Sequence, residues 1–408
     1  MGWRLSVPVI PHLRRRLWPI LVSALFVILG VAYFFRWGPL VRHAPSLLVA
    51  PGDLWTTYFS SSAFTHGHFG AVYGSGFLAL PGFLVLLAPL AWLSNSPQSH
   101  VLALLGPYAL LLGCVALFAC DAVAEWLGVS APRRILLSVV EGVLLWNVVV
   151  FWGHPEDAVA VALTLYAVMS AFEGRWARVG WLFGAALAVQ PLVVVVFPIL
   201  LFNGGRKRAP GLLVRAAIPA AVVTLPPLIA NVHGTVHVIV TQPTYVFFNH
   251  ATPWFFLAPT LGGRGPGATV GGGPMRLVAL ALAVALGWWA RRWRQKPEML
   301  IWAVAVALAL RCYVESVMTA YYIWPTLAVG TVVAARRNAW LFALAVMAAT
   351  LTTVAAQWQL TKYPWWAIDV LGVTAVLLAA AGPTLVATGR RRWSMAVPLV
   401  APTGPRQV

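Results

Sequence analysis

The chain has 408 residues, 61% of them hydrophobic and only 9% charged, where a soluble protein carries about a quarter charged residues. A soluble globule is therefore excluded. Its 28 Lys and Arg against 10 Asp and Glu give a net charge of +18. The basic residues lie in short clusters between apolar runs of about 17 to 25 residues, the pattern of a polytopic helical membrane protein rather than of a nucleic-acid binder.

Arg14, Arg15 and Arg16 flank an apolar run over 17–35 with no small-residue cleavage signature after it, which predicts an uncleaved first membrane helix. Further spans are expected over 101–120, 135–152, 157–173, 212–230, 276–290, 298–318, 322–335, 339–357 and 366–386. Stretch 77–93 is short and holds Pro81 and Pro89, and 179–202 is interrupted at Gln190-Pro191, where proline removes a donor and kinks a helix. If both cross once, 18 Lys/Arg fall inside and 10 outside; if 77–93 stays in or on the outer leaflet and 179–202 turns back at Gln190-Pro191, the split is 22 and 6. The positive-inside rule selects the second arrangement. The expected fold is an all-α polytopic membrane protein of about twelve membrane helices with large outer loops and both termini cytoplasmic. Residues 1–230 form one seven-helix module, 231–275 an outer loop, 276–390 the C-terminal helices and 391–408 a cytoplasmic tail. The three cysteines, Cys114, Cys120 and Cys312, lie within apolar runs and predict neither a disulfide framework nor a zinc site.

That arrangement places Asp53, Glu156, Asp157, Glu315 and Asp369 toward the outer side, and Asp121, Glu125, Glu141, Glu173 and Glu298 toward the cytoplasmic side. Asp53 follows Pro51-Gly52 and precedes Trp55, Tyr58 and Phe59. A carboxylate beside aromatic groups at the interface has its pKa raised and serves as a general base; it equally suits a cap for a helix starting at Leu54. His154, Glu156 and Asp157 stand at a helix start around Pro155, read either as a charged helix N-terminus or as a site for proton handling or a divalent cation held by Glu156 and Asp157. Arg311 and Glu315 share a helix face, as a buried ion pair or with Arg311 on the phosphate of a lipid-linked substrate, and Tyr321 and Tyr322 supply an aromatic wall. His233 and His237 share a face without a clear third ligand, and His250 is a candidate substrate contact. Asp369 reads as a helix-end residue.

The early Gly52-Asp53-Leu54, the Leu80-Pro81-Gly82 element, the second acidic motif at His154, Glu156 and Asp157, the hairpin tip at Gln190-Pro191 and the long loop after the seventh helix together resemble the GT-C glycosyltransferases. Among these the chain is most similar to actinobacterial polyprenol-phosphate-mannose-dependent α-mannosyltransferases of the phosphatidylinositol mannoside type. The resemblance implies a GT-C-like bundle in the plasma membrane with its active site on the outer face. It implies an inverting transfer of a sugar, mannose first among candidates, from a polyprenyl-phosphate donor to a lipid or glycolipid acceptor, with Asp53 as catalytic base. Members often carry Lys where this chain has Gln190. A flippase or transporter of lipid-linked sugars is the alternative; it predicts related repeats and midplane polar residues, and no internal repeat is evident. The partners expected are these lipids and the membrane itself, with no nucleic acid.

Overall fold

The computed structural model describes residues 15–42, 52–77, 79–93, 103–241, 252–254, 273–315, 318–357 and 363–381. Among them every regular element is helical, and seven helices are long and apolar enough to cross a membrane. The chain is a polytopic helical bundle. Its helices are α1 (Leu17–Arg42), α2 (Gly52–Thr65), α3 (Gly82–Leu93), α4 (Leu105–Trp126), α5 (Ala131–Leu145), α6 (Pro155–Phe172), α7 (Trp176–Val189), α8 (Phe197–Gly204), α9 (Ala209–Ala230), α10 (Val232–Thr241), α11 (Gly273–Ala290), α12 (Pro297–Val314), α13 (Trp324–Ala334), α14 (Ala339–Ala355) and α15 (Tyr363–Ala381).

Two clusters define the ends of the bundle. At one, the basic end, Asp121 of α4 accepts from Arg16 at 2.7 Å and from both Nε and Nη2 of Arg134 at 2.7 Å, while Arg16 also reaches Glu125. Arg133 donates to the Ala335 carbonyl at 3.0 Å and Arg337 to that of Ala380 at 2.6 Å, which closes the ends of α13 and α15 onto the same cluster. At the opposite end Trp366 donates to the Cys312 carbonyl at 2.9 Å and Asn231 to that of Gly70 at 3.2 Å. Of the acids expected toward the cytoplasmic side, Asp121, Glu125 and Glu173 pair with arginines, Glu173 with Arg175 at 3.3 Å. Glu141 is different: it is buried inside the bundle and accepts from Thr331 of α13 at 2.8 Å.

Stretch 179–202 does turn back on itself. α7 runs away from the basic end, Gln190 breaks it in extended conformation, and a 3-10 turn (Pro191–Val196) leads into α8. Gly204 ends 3.0 Å, measured from a built Cβ, from the Trp176 ring where α7 began. α7 packs closely on α9 through Gly180 and Gly184, where a built Cβ would lie 2.6 Å from Arg215 Cβ and 2.7 Å from the Ala216 carbonyl; small residues four apart let membrane helices approach in this way.

Between the first span and the one expected from 101 the chain forms α2 and α3. Helix α3 begins at Gly82, later than the apolar run at 77, because Pro81 suits the turn that precedes a helix. Its first turns stay at the end remote from the basic cluster, where Gly82 abuts Ala188 at the hairpin tip and Tyr108 of α4 donates to Leu86 at 2.8 Å. A Cβ on Gly82 would lie 2.3 Å from the Ala188 carbonyl oxygen. Gly82→Ala is therefore expected to destabilise the protein by about 1–3 kcal/mol, read as a lower melting temperature in detergent; an unchanged midpoint would show that the contact is not made. The expected outer loop 231–275 opens as α10, with His233 and His237 stacked at 6.3 Å on one face. His250 and the 391–408 tail lie outside the described residues.

Candidate active site

The end remote from the basic cluster gathers residues from several elements. Helix α5 does not stop at Leu145 but loosens into a π-helical turn (Trp146–Phe151), and the chain then bends through Gly153, whose φ of 73° lies in the left-handed region that glycine enters without strain. α6 starts at Pro155, which needs no N–H partner in a first turn, and Glu156 and Asp157 occupy that turn where the helix dipole favours acids. The charged helix N-terminus expected of this motif is present, and the same geometry leaves the side chains facing neighbours.

His154 is the hub. Its Nδ1 lies 2.6 Å from Glu156 Oε1, its Nε2 lies 3.3 Å from Asp53 Oδ2, and its ring stacks on Tyr321 with centroids 4.0 Å apart. Since both ring nitrogens face carboxylates, the imidazolium is the form that donates at both. Burial works against that charge, and is outweighed by the charge of Glu156, the bonds to Asp53 and Glu156 and the charge of Asp157, so the pKa of His154 stands well above 6.5. Protonation here favours the native state below 6.5, and that contribution is lost as pH rises through the higher native value. An NMR titration should place His154 above 6.5, and Glu156→Gln should lower it; a titration at or below 6.5 in the wild type would rule this network out.

Asp53 sits in the first turn of α2 with its side chain 62% exposed. The aromatic residues that follow it pack mainly on one another, Trp55 on Tyr58 and Phe59. The expected raised pKa is corrected by the partner that the local sequence did not reveal: the hydrogen bond from His154 lowers it, against burial that raises it, with the charge of His154 adding to the lowering. Asp53 is therefore an ionised carboxylate.

Asp157, 3% exposed, accepts from Gln190 Nε2 at 2.6 Å, which ties the hairpin tip to α6. Across from them Arg311 donates from Nε and Nη2 to the two oxygens of Glu315 at 2.6 and 2.8 Å and lies over the Tyr322 ring at 4.1 Å. Glu315 also faces Arg276 at 3.4 Å. The ion-pair reading of Arg311 and Glu315 is thus realised, with Glu315 just beyond the end of α12. A small cavity lies between the two groups, lined by Asp157, Gln190, Arg311, Tyr322 and apolar neighbours, with about 340 Å³ of empty space that includes its open mouth.

No known protein family matches the chain, and no curated protein resembles it significantly. The site is therefore interpreted from its own chemistry. Among the described residues no three His, Cys, Asp or Glu side chains converge as metal ligands would: Glu156 faces His154, whereas Asp157 faces Gln190. Asp369 is corrected from a helix-end residue to an interior one, the seventh residue of α15, fully buried, with neither carboxylate oxygen hydrogen-bonded.

Sequence reasoning passed over three participants. Arg276 stands in the first turn of α11, a position the helix dipole disfavours for a cation, and that misplacement is a readable signal. Gln190 had no assigned role. Asn147, inside the π-helical turn, donates to the Ala320 carbonyl at 2.9 Å and so fixes the backbone next to Tyr321; nothing in the local sequence marks it.

Proposed function

We propose that the protein is an integral-membrane glycosyltransferase that moves a sugar, mannose the first candidate, from a polyprenyl-phosphate donor to a lipid or glycolipid acceptor. The observation that carries this reading is the meeting of Asp53 with His154, 101 residues away in sequence, beside a cavity walled by Asp157 and Arg311. On this reading twelve helices, counting the two short arms of the hairpin, lie in the plasma membrane, the basic end faces the cytoplasm and the site opens outward.

The ionised Asp53 accepts the proton of an acceptor hydroxyl as that oxygen attacks the anomeric carbon; the bond from that carbon to the phosphate oxygen breaks, and polyprenyl phosphate leaves with the electron pair. Attack opposite the leaving group inverts the anomeric centre. His154 holds Asp53 ionised and oriented, with Glu156 and Tyr321 fixing its ring. Arg311 stands where the leaving phosphate needs a cation, with Glu315 setting its plane.

The test incubates purified protein with radiolabelled polyprenyl-phosphate sugars, mannose and arabinofuranose separately, and a lipid acceptor. Label appearing in the acceptor supports the enzyme. Movement of donor across liposomes without transfer would replace this reading with that of a lipid-linked sugar transporter.

A further inference from the structure

The hairpin tip presents two hydrogen-bond acceptors to the cavity. Gln190 spends its amide N–H on Asp157 Oδ1. Among the described residues neither Asp157 Oδ2 nor Gln190 Oε1 has a donor, although the two side chains are 3% and 9% exposed and both line the cavity. Both oxygens open onto the cavity, so a ligand that displaces water there must bring hydrogens to meet them.

The opposite wall is the reverse. Arg311 only donates, and Glu315 holds its Nε and Nη2 so that the guanidinium stays at the cavity wall. An ammonium ligand would satisfy the first wall and meet only donors at the second. A molecule with hydroxyls on one edge and an anionic group on the other satisfies both.

We propose that Asp157 and Gln190 read adjacent hydroxyls of the donor sugar while its phosphate faces Arg311, so that Gln190 is a specificity residue. This rests on the glycosyltransferase reading and assigns one edge of that same site. It also accounts for an uncharged amide at the tip: a carboxamide locked by Asp157 offers its oxygen in a fixed direction, whereas a lysine there would neutralise Asp157 and present donors instead of acceptors.

The experiment measures equilibrium binding to the full chain in lipid nanodiscs. The probes are sugar-free polyprenyl phosphate, its mannosyl, glucosyl and arabinofuranosyl forms, and single-deoxy analogues of whichever sugar binds tightest. Gln190→Met removes the amide at nearly constant volume; Asp157→Asn keeps the bond from Gln190 and turns the cavity-facing atom into a donor, and serves alone if the first variant fails to fold. Each variant is expected to weaken the sugar-bearing lipid by about tenfold and to leave sugar-free polyprenyl phosphate within about twofold. The wild type loses a comparable factor on one deoxy analogue that the variants no longer distinguish. Unchanged affinity for the sugar-bearing lipid, or an equal loss for the sugar-free one, overturns the proposal. A wild type that binds none of these lipids overturns the donor assignment itself, a result distinct from the other two.

Discussion

An Asp53→Asn variant should fold and melt like the wild type yet transfer sugar about 10²- to 10⁴-fold more slowly, the range over which a positioned general base contributes. The amide keeps an oxygen for the His154 Nε2–H but takes no proton from the acceptor. Stability should be nearly untouched because the side chain is 62% exposed and its bond to His154 spans 3.3 Å. The loss should fall on kcat rather than on donor KM, since Asp53 stands outside the cavity lining. In the wild type the acid limb of the pH profile belongs below 3.8, because His154 holds the Asp53 carboxyl under that value: a lowered pKa keeps the base ionised further into acid. A variant retaining a tenth or more of wild-type transfer would remove Asp53 from the reaction.

The second large effect concerns the basic end. Asp121→Ala leaves Arg16 and Arg134 with only the half-exposed Glu125 as counter-charge, and Arg16 is only 4% exposed. Removing one partner of a buried ion pair costs about 3–5 kcal/mol, because the remaining charge stays desolvated. Glu125, with a side chain 37% exposed, bonds the same arginines, and at such exposed sites an ion pair contributes at most about 1 kcal/mol. Thermal unfolding of the two variants in one detergent should therefore separate them widely, Asp121→Ala far below Glu125→Ala. Equal melting temperatures would mean that the buried cluster does not hold the ends of α1, α4 and α5 together.

The helices were legible because each feature that marks them is local. Apolar length marks α4, α9 and α12; Pro155 with Glu156 and Asp157 marks the start of α6; Gln190-Pro191 marks the reversal between α7 and α8. The acids of the site were legible as a set because carboxylates are scarce in this chain. Their pairing was not. Asp53 and Glu156 meet through His154, and Asp157 meets Gln190 33 residues on, only after the bundle closes. The direction of the Asp53 pKa shift follows from that closure, so the aromatic neighbours in sequence pointed the wrong way. Asp369 was misplaced for a related reason: Trp365 and Trp366 look like an interfacial boundary, yet Trp365 is itself buried and donates to the Ala356 carbonyl, which draws the start of α15 into the bundle.

The hairpin also bears on how the protein is made. α7 is 14 residues long, about 21 Å at helical rise, and the returning arm from Pro191 to Gly204 is comparable, so neither arm matches the about 30 Å of a bilayer core. Two arms this short would be expected to enter a membrane together as one unit rather than singly, and the bond from Gln190 to Asp157 then ties the tip of that unit to α6.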